Sequence, residues 1–535
     1  MANVPRVVAG FVSLAIGVVQ PATAQTTFLD FNVGTAEGIS GNGRFVVHSG
    51  DAYGLASGVS IYDLETNQHE RVDVSSAGVP SNGVSFCPAV SGTGRFVAFA
   101  SVGNNLVADD SNFVPDVFVR DRQTGQTTRE SVYANGAQLF LSGTLGCPSI
   151  SDDGRYVVFN TQEPLVPIDT NNGNDTYLRD RTLATTTIVS VTSGGQVVLP
   201  HGAQSDPRIS ANGRFVTWNS SGTLVPGSSG FQVWVRDLQT SQTTLVSRST
   251  EGARGDYISG IPTISGDGRY VAFYSRAGNL VAGDVGFSDA FVHDRETGVT
   301  SMVSVSSTGA QANFHSGLDN LAVPSISYDG RYVSFMTRAS NLVPSDTNNA
   351  EDIFVRDQVA QTTFRATLKS DGSEGTSCLL NGATGGPSFL SYSGREILLI
   401  TALRLVPFDT GPQCSDSVHP YIRRLPPPAL GGFTDDPLTS GATIKAVHVT
   451  ELRVRIDALR AAQTLPAYGW SDPVLTAGSS VVRARHIVDL RTALTEAYVA
   501  AAVTPPVFTG AGPDIGATIR TEHIADLRRA VVALE

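Results

Sequence analysis

Seven times along the chain a Gly-Arg step is followed by an aromatic or β-branched run. The copies are Gly43-Arg44-Phe45-Val46, Gly94-Arg95-Phe96-Val97, Gly154-Arg155-Tyr156-Val157, Gly213-Arg214-Phe215-Val216, Gly268-Arg269-Tyr270-Val271, Gly330-Arg331-Tyr332-Val333 and the more degenerate Gly394-Arg395-Glu396-Ile397. They stand 51 to 64 residues apart. A unit recurring at that period buries its apolar faces by stacking on its neighbours, so the chain must build a modular array.

The fifth copy shows what one unit contains. Pro262–Ser265 reads as a short strand and Gly266-Asp267-Gly268 as a tight turn. Arg269–Ser275 alternates as a second strand, and a loop beginning at Asn279-Leu280-Val281 runs to Asp289. Ala290–Arg295 is a third strand, Glu296-Thr297-Gly298 a hairpin turn, and Thr300–Ser306 a fourth strand. Four antiparallel strands in seven copies predict a mainly β fold, a seven-bladed β-propeller. The fourth strand usually opens on a Thr pair: Thr127-Thr128, Thr186-Thr187, Thr243-Thr244, Thr362-Thr363. After the seventh Gly-Arg unit, Pro420–Arg424 supplies a third strand, but Pro426-Pro427-Pro428 follows and no fourth is left. Thr26-Thr27-Phe28-Leu29-Asp30-Phe31, near the start of the chain, reads as the displaced fourth strand that closes blade seven and removes an open edge.

The phrase Ser327-Tyr328-Asp329-Gly330-Arg331-Tyr332-Val333-Ser334-Phe335 resembles the WD40-like (PD40) repeat of TolB-type β-propellers, and the resemblance covers about residues 25–425. It implies the fold and leaves the ligand open; members of that broad group are mostly periplasmic or secreted interaction proteins. The separate N-terminal domain of TolB itself is lacking, so the resemblance implies no role in the Tol–Pal system.

The ends of the chain extend this reading. Residues 1–24 have the form of a secretory signal: Arg6, an apolar run Val7–Val19, and Ala22-Thr23-Ala24 as a small-x-small cleavage site. The expected location is therefore secreted, cell-surface or periplasmic, and no other run is apolar enough to span a membrane. A formal net charge of −12 argues against nucleic acid and anionic membrane as partners. Residues 426–432 form a Pro/Gly linker. Over 433–535 the period shortens to about 37 and becomes helical, with His448-Val449-Thr450-Glu451-Leu452-Arg453 returning at His486–Arg491 and His523–Arg528. Three such units predict a small helical repeat module, which resembles one at the ends of some bacterial secreted proteins. His and acid at i and i+3 share a helix face; a His–carboxylate bond fixing the helix start is favoured over a metal site.

Candidate functional residues fall into three sets. Each repeated Arg should meet the Asp that ends strand three of its blade: Arg95 with Asp121, Arg155 with Asp180, Arg214 with Asp237, Arg269 with Asp294 and Arg331 with Asp357. Blade seven has Arg423 and Arg424 where Asp is expected. Three loops between strands two and three carry Asp-x-Asn-x-x-x-Asp: Asp110, Asn112 and Asp116; Asp169, Asn171 and Asp175; Asp346, Asn348 and Asp352. Such oxygens would suit calcium as a structural ion, although Asp and Asn also cap turns without one. The four cysteines are expected to pair as Cys87–Cys147 and Cys378–Cys414, consistent with an oxidising compartment. No Gly-x-Ser-x-Gly elbow and no Cys-x-x-Cys occurs.

These features predict an exported, non-enzymatic scaffold that recognises a protein or glycan across one face of the ring. The face opposite the Gly-Arg turns is expected to carry the site, since the Asp-Asn loops and cysteines gather there. A carbohydrate-active enzyme working at the channel mouth is the alternative from another class, and carboxylates with aromatics at that mouth would favour it. Surface attachment, with the helical module as anchor, is the third.

Overall fold

The computed structural model describes residues 24–29 and 35–425, apart from 51–57, 141–144, 172, 198–206, 225–229, 318–322, 378–384, 402 and 407–418. It also describes 444–472 and 482–501 (less 445, 464 and 467) and a few later positions. The signal reading over residues 1–23, the linker 426–432 and the pair Cys378–Cys414 lie outside the described residues. The chain divides into two units, Met1–Pro427 and Pro428–Glu535.

The first unit is a seven-bladed β-propeller of seven four-stranded antiparallel sheets. Blade three shows the plan: Ser149–Ile150, Tyr156–Thr161, Asp175–Asp180 and Thr185–Ile188 pair in that order. The first strands of successive blades touch one another in cyclic order, which makes them the inner wall and closes the ring. The cores lie between blades. Ala98, Val117 and Val119 of blade two pack with Val157, Phe159 and Tyr177 of blade three.

The Gly-Arg-aromatic phrase is a three-part joint. Gly154 sits at φ +69° in the turn between strands one and two, and a Cβ there would stand 2.2 Å from the ring of Phe96 in the preceding blade. Glycine thus satisfies the turn and admits the neighbour's aromatic together. The arginine lies over its own aromatic, at 4.6 Å for Arg95 on Phe96 and 4.7 Å for Arg155 on Tyr156. In blade seven Glu396 takes the aromatic position and faces Arg424 across the ladder.

Blade seven is completed by Gln25–Phe28, which pairs with His419–Arg424 from Gln25 opposite Arg424 to Phe28 opposite Tyr421. Thr26 takes over a role repeated in the other blades. Thr127 Oγ1 donates to the carbonyl of Val74 in the preceding blade and accepts from Arg120 of its own blade at 3.1 Å. Thr26 Oγ1 likewise donates to Leu368 at 2.8 Å and accepts from Arg423 at 2.8 Å. Arg423 is thus equivalent to Arg120, and Arg424 stands in the aspartate position.

In the second unit, helices span Ala446–Ala462 and Ala484–Ala500. Val449, Leu452 and Ile456 pack against Ile487, Leu490 and Leu494, and Ile524, Leu527 and Val531 of the third copy join the same core. Buried His486 does meet a carboxylate, but from a different place in the chain than its helix. Its Nε2 lies 2.8 Å from Asp472 in the Trp470-Ser471-Asp472-Pro473 segment, while Asp489 accepts from the Ser471 amide. Arg453 of the repeated phrase stacks over Trp470 at 4.9 Å, and Arg491 over Phe508 at 5.0 Å. Among the described residues no helix is long and apolar enough to cross a membrane.

Candidate functional site

The repeated arginines face aspartates within their own blades. Arg95–Asp121, Arg214–Asp237 and Arg269–Asp294 close to 2.7 Å, Arg155–Asp180 to 2.6 Å and Arg331–Asp357 to 2.8 Å. Each guanidinium donates through Nε and Nη2, and the charge-assisted fork holds Asp121 and Asp237 well below the usual carboxylate range. With both groups engaged, this arrangement serves the blade.

The turns that carry these arginines also circle the channel mouth. In each, a serine (Ser40, Ser91, Ser151, Ser210, Ser265, Ser327, Ser391) accepts from the backbone N–H five residues on. The residue after it meets the next blade. Backbone bonds run Asn42 to Gly92, Asp152 to Ala211, Asn212 to Gly266, Asp267 to Tyr328, Tyr328 to Tyr392 and Tyr392 to Gly41. The Gly92 N–H completes the circle by donating to Asp152 Oδ1 at 2.9 Å.

On this regular circle the side chains differ. The seven positions hold Gly41, Gly92, Asp152, Ala211, Gly266, Tyr328 and Tyr392. A Cβ on Gly41, Gly92 or Gly266 would collide with Tyr392, Asp152 or Tyr328, so the small residues make room for the large ones. The Tyr392 hydroxyl donates to Asp152 Oδ1. Blades seven and three are not neighbours, so this bond crosses the channel axis. Tyr328 packs edge-on against Tyr392 at 5.0 Å and is 38% exposed, the most open ring of the cluster. Burial pushes the Asp152 carboxyl up, with Tyr392 and the Gly92 amide opposing it, and raises both tyrosines. This cluster, a candidate site, lies on the face of the Gly-Arg turns, whereas the sequence expectation placed the site on the opposite face. The signal was the unspecified residue after the repeated serine: a variable position in a fixed turn.

On the opposite face the Asp-Asn loops differ in one decisive respect. The first residue of strand three is buried and accepts from a hydroxyl at the end of strand four: Asp116 from Ser131, Asp175 from Ser190 and Asp352 from Thr367. In blade six the Arg365 guanidinium stands between Asp346 at 2.9 Å and Asp352 at 3.3 Å, and also reaches Glu374. In blade two Arg129 lies 3.6 Å from Asp110 and 3.7 Å from Asp116. Asn112 donates its amide to Asp116 and accepts from the Val114 N–H, while Asn348 accepts from Ala350. A fixed guanidinium occupies the place of a cation in these two loops, so they do not fit calcium. In blade three Ile188 holds the equivalent strand-four position, Asp169 accepts from the Tyr177 hydroxyl, and Asn171 accepts from the Gly173 N–H. Among the described residues no three His, Cys, Asp or Glu side chains converge in a metal-binding group.

Cys87 and Cys147 form a disulfide on this face, with Cα atoms 5.2 Å apart. Cys87 has φ +54° within the bulge that interrupts pairing between Phe86 and Ala89. The bulge turns its side chain toward blade three.

Comparisons with known proteins follow the fold. No family model matches the chain, and no curated protein matches it. Among solved structures, a protein assigned as TolB from Agrobacterium tumefaciens is 17% identical, over 50% of this chain and 80% of that one, with a TM-score of 0.31. An oligogalacturonate lyase from Vibrio parahaemolyticus is 14% identical, over 76% and 98% of the two chains, at 0.44. A xyloglucanase from Xanthomonas campestris is 11% identical, over 73% and 55%, at 0.39. These likenesses concern the fold alone.

Proposed function

We propose that the chain is an exported, non-enzymatic scaffold of the TolB-type, WD40-like kind, which recognises a protein or glycan through the face bearing the Gly-Arg turns. One observation carries this reading: three bulky polar side chains, Asp152, Tyr328 and Tyr392, are set into an otherwise regular circle of turns at the channel mouth. Tyr328 offers a partly exposed ring, and Asp152 is fixed by two donors. Aromatic surface beside a fixed acceptor is what sugar rings and protein side chains both use. The test is a glycan array and partner capture with the full chain, repeated with Tyr328→Ala. Ligands lost in the variant support the reading, and ligands indifferent to it overturn it.

The rival reading, a carbohydrate-active enzyme, draws on Asp152, whose carboxyl is raised by burial. Glycosidase chemistry ordinarily needs a second acid across the bond. Asp153 at the same turn is spent on the Ser151 hydroxyl and the Arg155 N–H. Oligosaccharide turnover abolished by Asp152→Asn would replace the scaffold reading. Calcium, within this proposal, is confined to Asp169, Asn171 and Asp175 of blade three. A melting transition unmoved by chelator removes it.

A further inference from the structure

The residue after the strand-three aspartate, or after Arg424 in blade seven, occupies one structural position, because its N–H bonds the carbonyl of the repeated arginine in every blade. It reaches into the seam toward the preceding blade. In blades two, three and five it is an arginine. Arg122 lies over Phe45 at 4.8 Å, Arg181 over Phe96 at 5.4 Å and Arg295 over Phe215 at 4.0 Å. Each also donates to a glycine carbonyl: Gly94, Gly154 or Gly268. Glu70 adds a carboxylate for Arg122, and Glu130 for Arg181. These three aromatics therefore carry two guanidinium groups, their own blade's and the next blade's. In blades one, four and seven the position is Leu64, Leu238 or Leu425, and hydrocarbon fills the seam.

Blade six differs from both groups. Gln358 holds the position and donates to the Gly330 carbonyl. Its side chain is shorter than arginine and lacks the charge, so among the described residues Tyr270 carries the guanidinium of Arg269 alone. A cleft of about 360 Å³ opens here, lined by Tyr270, Asp294, Ser301, Asp329, Arg331 and Gln358 among others. Asp294 is neutralised by Arg269 and Arg331 by Asp357. Exposed Asp329, which accepts from the Ser327 hydroxyl and the Arg331 N–H, then sets the sign of the lining.

We propose that this cleft is an arginine socket completed from outside: it takes the guanidinium of an exposed arginine on a protein partner. The chain builds the same socket three times and fills it with its own arginine, and the sixth copy keeps the ring while withholding the cation. A net charge of −12 favours approach of a basic segment. The site is separate from the channel mouth and does not depend on the reading given for it.

The experiment titrates the full chain with N-acetyl-arginine methylamide and with its neutral isostere N-acetyl-citrulline methylamide, followed by NMR or calorimetry. Saturable binding on the order of millimolar is expected for the arginine probe, at least about tenfold weaker for citrulline, whose urea lacks the charge. Gln358→Arg fills the socket from within, as in blades two, three and five, and should abolish binding without lowering the melting temperature. Gln358→Leu, the residue of blades one, four and seven, closes it with hydrocarbon and is the second variant. No saturation, equal affinity for citrulline, or undiminished binding in both Gln358 variants would each overturn the proposal.

Discussion

The two faces of the ring are built by different rules. On the Gly-Arg face the same contacts recur from blade to blade: a glycine under the neighbour's aromatic, an arginine forked onto an aspartate, a threonine braced across the seam. Individuality enters there through single residues, such as Asp152, Tyr328, Tyr392 and Gln358, set into an unchanged frame. On the opposite face the loops vary as wholes, and each blade settles its charges separately: Arg365 among three acids in blade six, Arg129 near two in blade two, a disulfide joining blades two and three. A variable loop can therefore be variable in how it stabilises itself. A variable residue in a fixed turn stands where backbone bonds already hold most of the frame, and is the better pointer to a ligand.

Breaking each face at its characteristic element sharpens the contrast. The largest effect is expected from Cys87→Ser with Cys147→Ser, which opens a loop closed at a separation of 60 residues. The loss should be roughly 4 kcal/mol, read from the denaturation midpoint with and without reductant. A midpoint indifferent to reductant and to the double variant would mean the bond does not form. Next comes Gly154→Ala on the other face. Positive φ and a contact with Phe96 together should cost roughly 3 kcal/mol. Gly136 has φ +84° but nothing within 4 Å of a built Cβ, so Gly136→Ala should cost about 1 kcal/mol. Equal costs at the two sites would refute the joint between blades.

Much of this frame was legible in the chain. Strand positions in blade five, the Arg–Asp partners and the closing strand all follow from short-range patterns whose partners recur at fixed offsets. The Thr pairs were visible, but their role was not: Thr127 works through Val74 and Arg120, and no local pattern announces a hydrogen bond across a seam. The charge balance of the Asp-Asn loops was hidden for the same reason. Arg129 and Arg365 stand 19 residues after Asp110 and Asp346, on another strand. In the helical unit the His486 partner came from 14 residues upstream, because a buried imidazole takes the carboxylate that packing brings to it.

The smallest prediction tests how far the repeated frame tolerates an exception. Arg120, Arg179, Arg236, Arg356 and Arg423 hold the penultimate place of strand three and donate to the strand-four threonine; in blade five this place is His293, whose Nδ1 lies 2.8 Å from Thr300 Oγ1. Burial, reinforced by Arg248 and Arg295 and opposed by Asp294, lowers the His293 pKa to about 4 from an ordinary 6.5. The folded state then binds fewer protons than the unfolded state between those values. Stability from this site is complete above pH 6.5 and declines as pH falls toward 4, by about 2 kcal/mol at pH 5. Asp116 and Asp289, raised to about 6 by burial, act in the opposite sense, since their folded forms take up protons first. The wild-type profile alone therefore mixes the two, and the informative quantity is its difference from His293→Arg. The arginine stays charged throughout and restores the residue found in blades two, three, four, six and seven, so the variant should gain on the wild type steadily from pH 6.5 down to 4. Parallel profiles over that range would show that His293 does not titrate there, and that the fifth blade accepts its exception at no cost in acid.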